Sequence, residues 1–210
     1  MKKRDTTVLV ESNGPTSIFV AGKREEDVFF ERRENTKEEK ERRKIEQQIV
    51  ANPHTLEEVI AYIKEKYGAE DKGEQAINYL EYRSCWKESL IMEYRPELLE
   101  GLAEFPSLKS RDEKEFQKFL NRVELFRKKV EEISDEEFPM DFHIYEIQIP
   151  EVGMLQVAIE KMWEKFGVSY NGKPELREIV KEIYLYYGVS KQDISEKSER
   201  YEELVRQLSC

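Results

Sequence analysis

The side chains best suited to acid–base chemistry in this 210-residue chain lie around His143. Histidine changes its charge near neutral pH, and a neighbouring phenol or carboxyl group can exchange a proton with it. Tyr145 lies two residues and Glu146 three residues further along the chain, so this segment could support general acid–base catalysis. We assign no catalytic residue on this basis, because no other motif in the sequence supports such a reaction.

Metal and nucleotide sites have spacings that the sequence lacks. His54 and His143 are the two histidines, they form no His-x-x-x-His pair, and no cysteine lies near either one. The chain has no Gly-x-x-x-x-Gly-Lys-Ser/Thr or Gly-x-Gly-x-x-Gly loop for phosphates, and no Gly-x-Ser-x-Gly nucleophile turn. We therefore predict no metal site and no cofactor.

Composition and charge indicate a cytoplasmic protein with a strongly acidic main body. The net charge is −10, divided into +1 over residues 1–50 and −11 over the remainder, so the main body repels phosphate backbones and anionic lipid surfaces. No apolar run approaches the ~20 residues of a membrane helix. We predict no membrane association and expect nucleic acid to be disfavoured as a partner. Two cysteines suit a reducing compartment, and we expect Cys85 to be a small buried side chain.

A strong turn signal near the N-terminus separates the apolar runs 8–10 and 18–20. The turn consists of five residues: Asn13, Gly14, Pro15, Thr16 and Ser17. Asn-Gly favours a hairpin, and the proline that follows it lengthens the turn beyond two residues. The two hydroxyl groups, together with exposed backbone donors, could also hold a small anion, which makes this turn a candidate site for a ligand or a partner.

Residues 13–23 resemble the Asp-Gly-Pro-Thr-(Ser/Ala)-Ile motif of the β-subunits of sodium-translocating decarboxylases. In that family an acidic residue precedes the glycine, near the ion path of a membrane segment, whereas this chain has Asn13. The resemblance covers about a twentieth of the chain. It implies a subunit that spans the membrane many times, and a sodium path needs such a scaffold. Because no membrane span is predicted here, we interpret the segment as a hairpin whose turn needs Asn, Gly and Pro for backbone reasons.

Residues 187–195, Tyr-Gly-Val-Ser-Lys-Gln-Asp-Ile-Ser, resemble the turn and second helix of helix-turn-helix DNA-binding domains. The resemblance implies DNA contacts by four side chains: Lys191, Gln192, Lys197 and Arg200. The same helix also carries Asp193, Glu196 and Glu199, which repel phosphate. A DNA-binding regulator is therefore the alternative function for this chain.

Three tyrosines near the end of a predicted helix form a candidate partner face. Tyr184, Tyr186 and Tyr187 span more than one side of a helix, so they cannot all point into a core. Tyrosine is enriched at protein contacts because it combines an apolar ring with a polar tip. The alternative interpretation is that these rings form the amphipathic edges of the core.

Helical periodicity dominates from residue 53 onward. Helices are predicted over the approximate ranges 56–67, 74–94, 96–102, 113–130, 151–166, 174–187 and 190–208. Thr55 and Ser110 each begin a capping box, and Gly68, Gly167 and Gly188 follow predicted helix ends. One later segment, 142–149, has the alternation of a strand and is closed by Pro150.

We therefore predict a mainly α-helical α+β protein. Its small β-sheet would combine an N-terminal β-hairpin (1–22) with the strand 142–149, and a charged helix or linker (23–52) would lead into a helical domain (53–210). For function we predict a non-enzymatic protein-interaction or regulatory module with a protein partner.

Overall fold

The computed structural model describes residues 39–40, 42–105 and 113–209, which form a mainly helical α+β fold. The predicted fold class is confirmed. The helices are α1 (residues 39–40 and 42–48), α2 (Leu56–Tyr67), α3 (Tyr79–Tyr94), α4 (Glu113–Glu132), α5 (Leu176–Tyr187), α6 (Lys191–Glu196) and α7 (Glu199–Ser209). Two 3-10 helices, Gly73–Gln75 and Pro96–Leu99, flank α3. Over the described ranges, none of these helices combines the length and apolar character needed to cross a membrane.

The sheet has four antiparallel strands in the order β1-β2-β3-β4. Its strands are β1 (Glu70–Asp71), β2 (Phe142–Ile149), β3 (Gly153–Glu160) and β4 (Lys165–Gly172). The strand predicted at 142–149 is confirmed as β2. The prediction that an N-terminal hairpin builds this sheet is wrong, because all four strands come from later segments. The predicted hairpin itself lies outside the described residues.

The helix predicted for residues 151–166 is also wrong, since this segment forms β3 and the start of β4. Leu155, Val157 and Ile159 alternate along β3 and are fully buried, which is the period of a strand. At the start of β3 and the end of β4, the backbones of Gly153 and Gly172 lie in close contact. A Cβ atom on Gly153 would lie 2.8 Å from the Cα atom of Gly172, so a side chain would displace the neighbouring backbone.

The helix ends follow the local signals in the sequence. Thr55 caps α2 in the predicted capping box, and Gly68 ends that helix in the left-handed conformation at φ 67°. The helix predicted over 190–208 is divided into α6 and α7, because Lys197 adopts a φ of 50° between them. Asp193 accepts hydrogen bonds from the backbone N–H of Ser190 and from the hydroxyl of Ser198, which fixes both ends of the short helix α6.

The described chain divides into two compact units. The first, here called the α3–α4 unit, contains residues 73–105, 113–143 and 160–165. The second, here called the sheet unit, contains residues 39–40, 42–72, 144–159 and 166–209. The range predicted as a single helical domain, 53–210, therefore contributes to both units.

The core of the α3–α4 unit is formed by α3, α4 and the loops that follow them. Its buried apolar side chains are Leu90, Ile91, Leu99, Phe126, Val130, Ile133 and Phe138. Lys87 is also buried, and its ammonium donates to the carbonyl of Ile133, 2.5 Å away, at the C-terminal end of α4. Cys85, which we predicted to be buried, is exposed. It precedes Lys87 by two residues, or about 200° around the helix, and so lies opposite the buried side.

The core of the sheet unit lies between the strands and helices α2, α5 and α7. Its buried side chains include Val59 and Ile63 of α2, Val157 and Ile159 of β3, Val180 and Ile183 of α5, and Leu204 and Val205 of α7. The pairs in α2 and α5 are four and three positions apart, and the two residues of α7 lie three and four positions after the buried Tyr201, as in amphipathic helices that cover one face of a sheet.

Candidate functional site

A polar concavity of about 350 Å³ in the α3–α4 unit is lined in part by His143, the histidine that the sequence analysis selects for acid–base chemistry. Its wall is formed by residues of the 3-10 helix Gly73–Gln75, of α3, of the loop before β2 and of the start of β2. The polar side chains in that wall are Glu74, Tyr79, Arg83, Asp135, Asp141 and His143. The concavity thus brings together acidic, basic and titratable groups that lie far apart in the sequence.

Aromatic contacts hold the start of β2 against α3. The Tyr79 hydroxyl donates to the carbonyl of Phe142, 3.3 Å away. The rings of Tyr79 and Trp86 lie 5.6 Å and 5.5 Å from the ring of Phe142. Because these contacts fix Phe142, they also fix the position of the neighbouring His143 at the edge of the concavity.

His143 is paired with Asp141, a residue that we did not select from the sequence. The His143 Nε2 atom lies 3.0 Å from the Asp141 Oδ1 atom, and the histidine side chain is 27% exposed. A carboxylate this close to a ring nitrogen orients the imidazole. Asp141 and His143 are separated by one residue. The sequence did not reveal the pair, because it does not show that both side chains face the same concavity.

Glu160 is a fully buried carboxylic acid next to this pair. Its Oε1 atom accepts from the backbone N–H groups of Asp141, at 2.9 Å, and Met162, at 3.0 Å. Its Oε2 atom is buried and has no hydrogen-bond partner among the described residues. Burial raises the pKa of Glu160, and its two hydrogen bonds hold the β3–β4 connection at Met162 to the backbone of Asp141, just before β2.

Arg83 and Asp135, two further charged side chains of the concavity, are paired with each other. Arg83 donates to the Oδ1 atom of Asp135 at 2.8 Å, and this hydrogen bond lowers the pKa of Asp135. In the described ranges, no group of three or more His, Cys, Asp and Glu side chains is arranged to hold a metal ion. Two side-chain pairs of opposite charge type therefore lie in the wall of the concavity, His143 with Asp141 and Arg83 with Asp135.

A partly exposed surface lies on the same unit, along the first four turns of α4. We call it the α4 seam and define it by Glu113, Phe116, Leu120, Val123 and Arg127, which follow one another at alternating intervals of three and four residues. Phe116 is 51% exposed and Leu120 is 42% exposed. The same apolar stripe continues into Phe126 and Val130, which are 3% and 1% exposed. Only half of the stripe is thus covered by the core.

The three tyrosines of the candidate partner face are placed in three different surroundings. Tyr184 is buried, 4% exposed, and meets the ring of Phe166 edge to face at 4.9 Å. Tyr186 is half-buried between the stacked rings of His54, at 4.1 Å, and Tyr62, at 3.8 Å. Tyr187 is half-buried as well, with Arg200 over its ring. The structure does not bring the three rings to one surface, and their binding role stays a prediction.

A charged network supports this aromatic stack in the sheet unit. Glu182 accepts from the hydroxyls of Tyr62 and Tyr67 and forms an ion pair with Lys66. The ion pair with Lys66 is the main reason that the pKa of Glu182 is lowered. Glu182 of α5 thus links the aromatic stack to three side chains of α2.

The four side chains of the helix-turn-helix alternative lie on and after α6. Lys191 and Gln192 are exposed in its first turn, and Lys197 is exposed where the helix ends. Arg200 differs from them, because its guanidinium donates to the carbonyls of Gly188, His54 and Tyr187. The fourth predicted DNA contact thus holds the backbone at the end of α5.

The candidate turn Asn13–Ser17 lies outside the described residues, so its binding role and its resemblance to the decarboxylase motif stay predictions. A scan against protein-family models, a search of curated proteins and a search of solved structures each found no match for this chain.

Proposed function

We propose that this chain is a non-enzymatic protein-interaction module that binds an amphipathic helix of a partner along the α4 seam. The observation that supports the proposal is the exposure of Phe116 and Leu120, 51% and 42%, on a stripe whose other half is buried. Large apolar side chains in this position gain free energy when a partner removes them from water. Full burial of a Leu or Phe side chain contributes about 1.5–3 kcal/mol. Because Phe116 and Leu120 are about half exposed, a partner that covers them would gain a large part of this free energy.

The spacing of the seam defines the chemistry of the partner. Intervals of three and four residues place the seam residues in one row, and a second helix with apolar residues at the same intervals packs against such a row. From Glu113 to Arg127 the seam is about 21 Å long, which corresponds to four helical turns. The expected partner is therefore a helix with an apolar centre and charged residues near its ends.

Affinity capture of the tagged full chain from native lysate tests this function. Leu120→Arg places a charge at the centre of the seam, whereas Leu125→Arg places one at a position that is 54% exposed on the opposite side of the same helix. We expect the protein bound by the wild type to be kept by Leu125→Arg and reduced at least tenfold, about 1.4 kcal/mol, by Leu120→Arg. Circular dichroism of both variants checks that the fold is intact. Equal recovery with the two variants would contradict the proposal.

A DNA-binding regulator is the second candidate function, and one observation favours it. Helix α5 is followed by the connection 188–190 and the capped helix α6, which is the order of elements in the motif that the sequence resembles. Phosphate contacts would fall to Lys191, Gln192 and Lys197, since Arg200 already binds three backbone carbonyls. A salt-dependent gel shift of duplex DNA that is lost in Lys191→Ala would support this function. The absence of any shift at low salt would remove it.

A further inference from the structure

We propose that the helix that binds the α4 seam is α4 of a second copy of this chain, in antiparallel orientation. This inference rests on the proposed function and names the partner. It follows from the order of residues along the seam, which has an acid at its N-terminal end, Glu113, and a base at its C-terminal end, Arg127. Leu120 lies midway between them.

Symmetry turns this order into a match between two copies. Leu120 is seven residues from each charged end, which is two helical turns or about 10.5 Å along the axis. A two-fold axis beside Leu120 reverses the second helix, so each residue faces the one equally far on the other side. Glu113 of each copy then faces Arg127 of the other copy. A parallel pair would instead place like charges side by side, which is unfavourable.

The side chains that this pairing needs are accessible. Glu113 is exposed in the first turn of α4, and the Arg127 side chain is 55% exposed. Arg127 also faces Glu88, but at 3.8 Å, which is longer than a charge-assisted hydrogen bond. A guanidinium has five N–H donors, so Arg127 can bind a second carboxylate without losing the first. The two apolar residues at the centre, Phe116 and Leu120, are the most exposed of the stripe.

The charge order favours a second copy over an unrelated helix. An unrelated amphipathic helix would match the apolar centre of the seam, but its charges would have to be arranged by chance to match both ends. The chain's own α4 matches both ends through the same pair of residues. Two copies bring two ion pairs of this kind, each of the modest strength typical of exposed pairs, and these pairs set the orientation while the apolar centre supplies most of the affinity.

Analytical ultracentrifugation of the purified full chain tests the inference through a charge swap. We expect the wild type to show a concentration-dependent equilibrium between monomer and dimer. Glu113→Arg and Arg127→Glu, each alone, should raise the dissociation constant about tenfold, or 1.4 kcal/mol. The double variant restores opposite charges at both ends and should return to within about threefold of the wild type. Glu132→Arg, which makes the same charge change outside the seam, serves as the control.

A second pair of variants does not depend on the charges. Arg127→Glu also places a carboxylate next to Glu88, so the stability of this variant must be checked by thermal melting. Leu120→Arg and Leu125→Arg avoid that contact, and we expect only Leu120→Arg to produce monomers at all concentrations. A dimer that persists in Leu120→Arg would overturn the inference.

The remaining outcomes separate this inference from the function on which it rests. A wild type that stays monomeric at about 100 µM, where an association of roughly −5.5 kcal/mol would be visible, overturns the second-copy partner. If Leu120→Arg nevertheless fails to capture a protein other than this chain that the wild type captures, the proposed function stands and only the second-copy partner is rejected. A dimer whose dissociation constant is unchanged by both single charge reversals also overturns the antiparallel pairing.

Discussion

Replacing Arg200 by alanine should destabilise the sheet unit by about 3 kcal/mol. The guanidinium Nε atom donates to the carbonyl of Gly188 at 2.7 Å, one Nη atom donates to the carbonyl of His54 at 2.8 Å, and a further bond reaches Tyr187. Its Cζ atom lies 3.6 Å from the centre of the Tyr187 ring. A hydrogen bond from a charged donor contributes about 1.5–3 kcal/mol, and we count less than the sum of three because neighbouring contributions are not additive.

The same segment offers a local measure of this effect. The backbone N–H groups of Asn52 and His54 donate to the carbonyls of Val189 and Tyr187, both at 3.0 Å. Hydrogen exchange at these two amides therefore reports on the backbone contact beside Arg200. We expect Arg200→Ala to accelerate exchange at both amides and to lower the urea midpoint. Arg200→Lys should have about half the effect, since an ammonium cannot reach all three carbonyls.

Lys191→Ala is the matched control, because Lys191 is an exposed member of the same set of predicted DNA contacts. Its stability should stay within about 0.5 kcal/mol of the wild type. If Arg200→Ala behaves like Lys191→Ala in urea and leaves the exchange of Asn52 and His54 unchanged, the structural role that we assign to Arg200 is refuted.

Two further predictions concern stability. Burial raises the pKa of Glu160 in the folded chain, so the folded state binds more protons than the unfolded state, and the free energy of unfolding should fall as pH rises from the ordinary value of 4.5 through the raised one. The difference in that free energy between wild type and Glu160→Gln, followed by urea denaturation across pH, should show this slope; a difference that does not depend on pH would contradict it. Gly188→Ala should lower the free energy of unfolding by about 3 kcal/mol or more. Residue 188 has a φ of 57°, and a Cβ atom added there would lie 2.1 Å from the carbonyl oxygen of Asn52. Gly101→Ala, also at positive φ but with no atom within 4 Å of the added Cβ, should cost only about 1 kcal/mol, and equal losses would argue against the steric explanation.

Local signals explain why part of the fold could be predicted from the sequence. The capping box at Thr55 and the glycine at 68 are formed by residues that are adjacent in the chain, and both define α2 as expected. The strand 142–149 was readable because β-branched and aromatic residues are bounded by Pro150. These features depend on backbone preferences rather than on distant partners.

The errors arose where distant residues decide the structure. Residues 151–166 contain Met, Leu, Ala and Lys, which suit a helix, but pairing within the sheet buries Leu155, Val157 and Ile159 as strand residues. The segment also needs Gly153 beside Gly172, and that contact joins residues nineteen positions apart. Intrinsic helix preference is a weak guide when a sheet partner is present.

The candidate site was only partly accessible from sequence for the same reason. Helical periodicity predicted a helix over 113–130, but it could not show that the core covers Phe126 and Val130 while Phe116 and Leu120 stay exposed. Likewise, His143 was selected from its chemistry, while its partner Asp141 became evident only from the geometry of the concavity. Exposure and side-chain pairing depend on neighbours that a single sequence does not identify.

The most direct test of the docking surface is site-specific photo-crosslinking of the full chain in native lysate. A photoreactive phenylalanine analogue is placed at position 120, in the seam, or at position 125, on the opposite side of α4. We expect a discrete crosslinked protein from position 120, either a second copy or a partner, and none from position 125. Equal crosslinking from both positions, or crosslinking from position 125 alone, would contradict the claim that the α4 seam is the surface through which this protein binds.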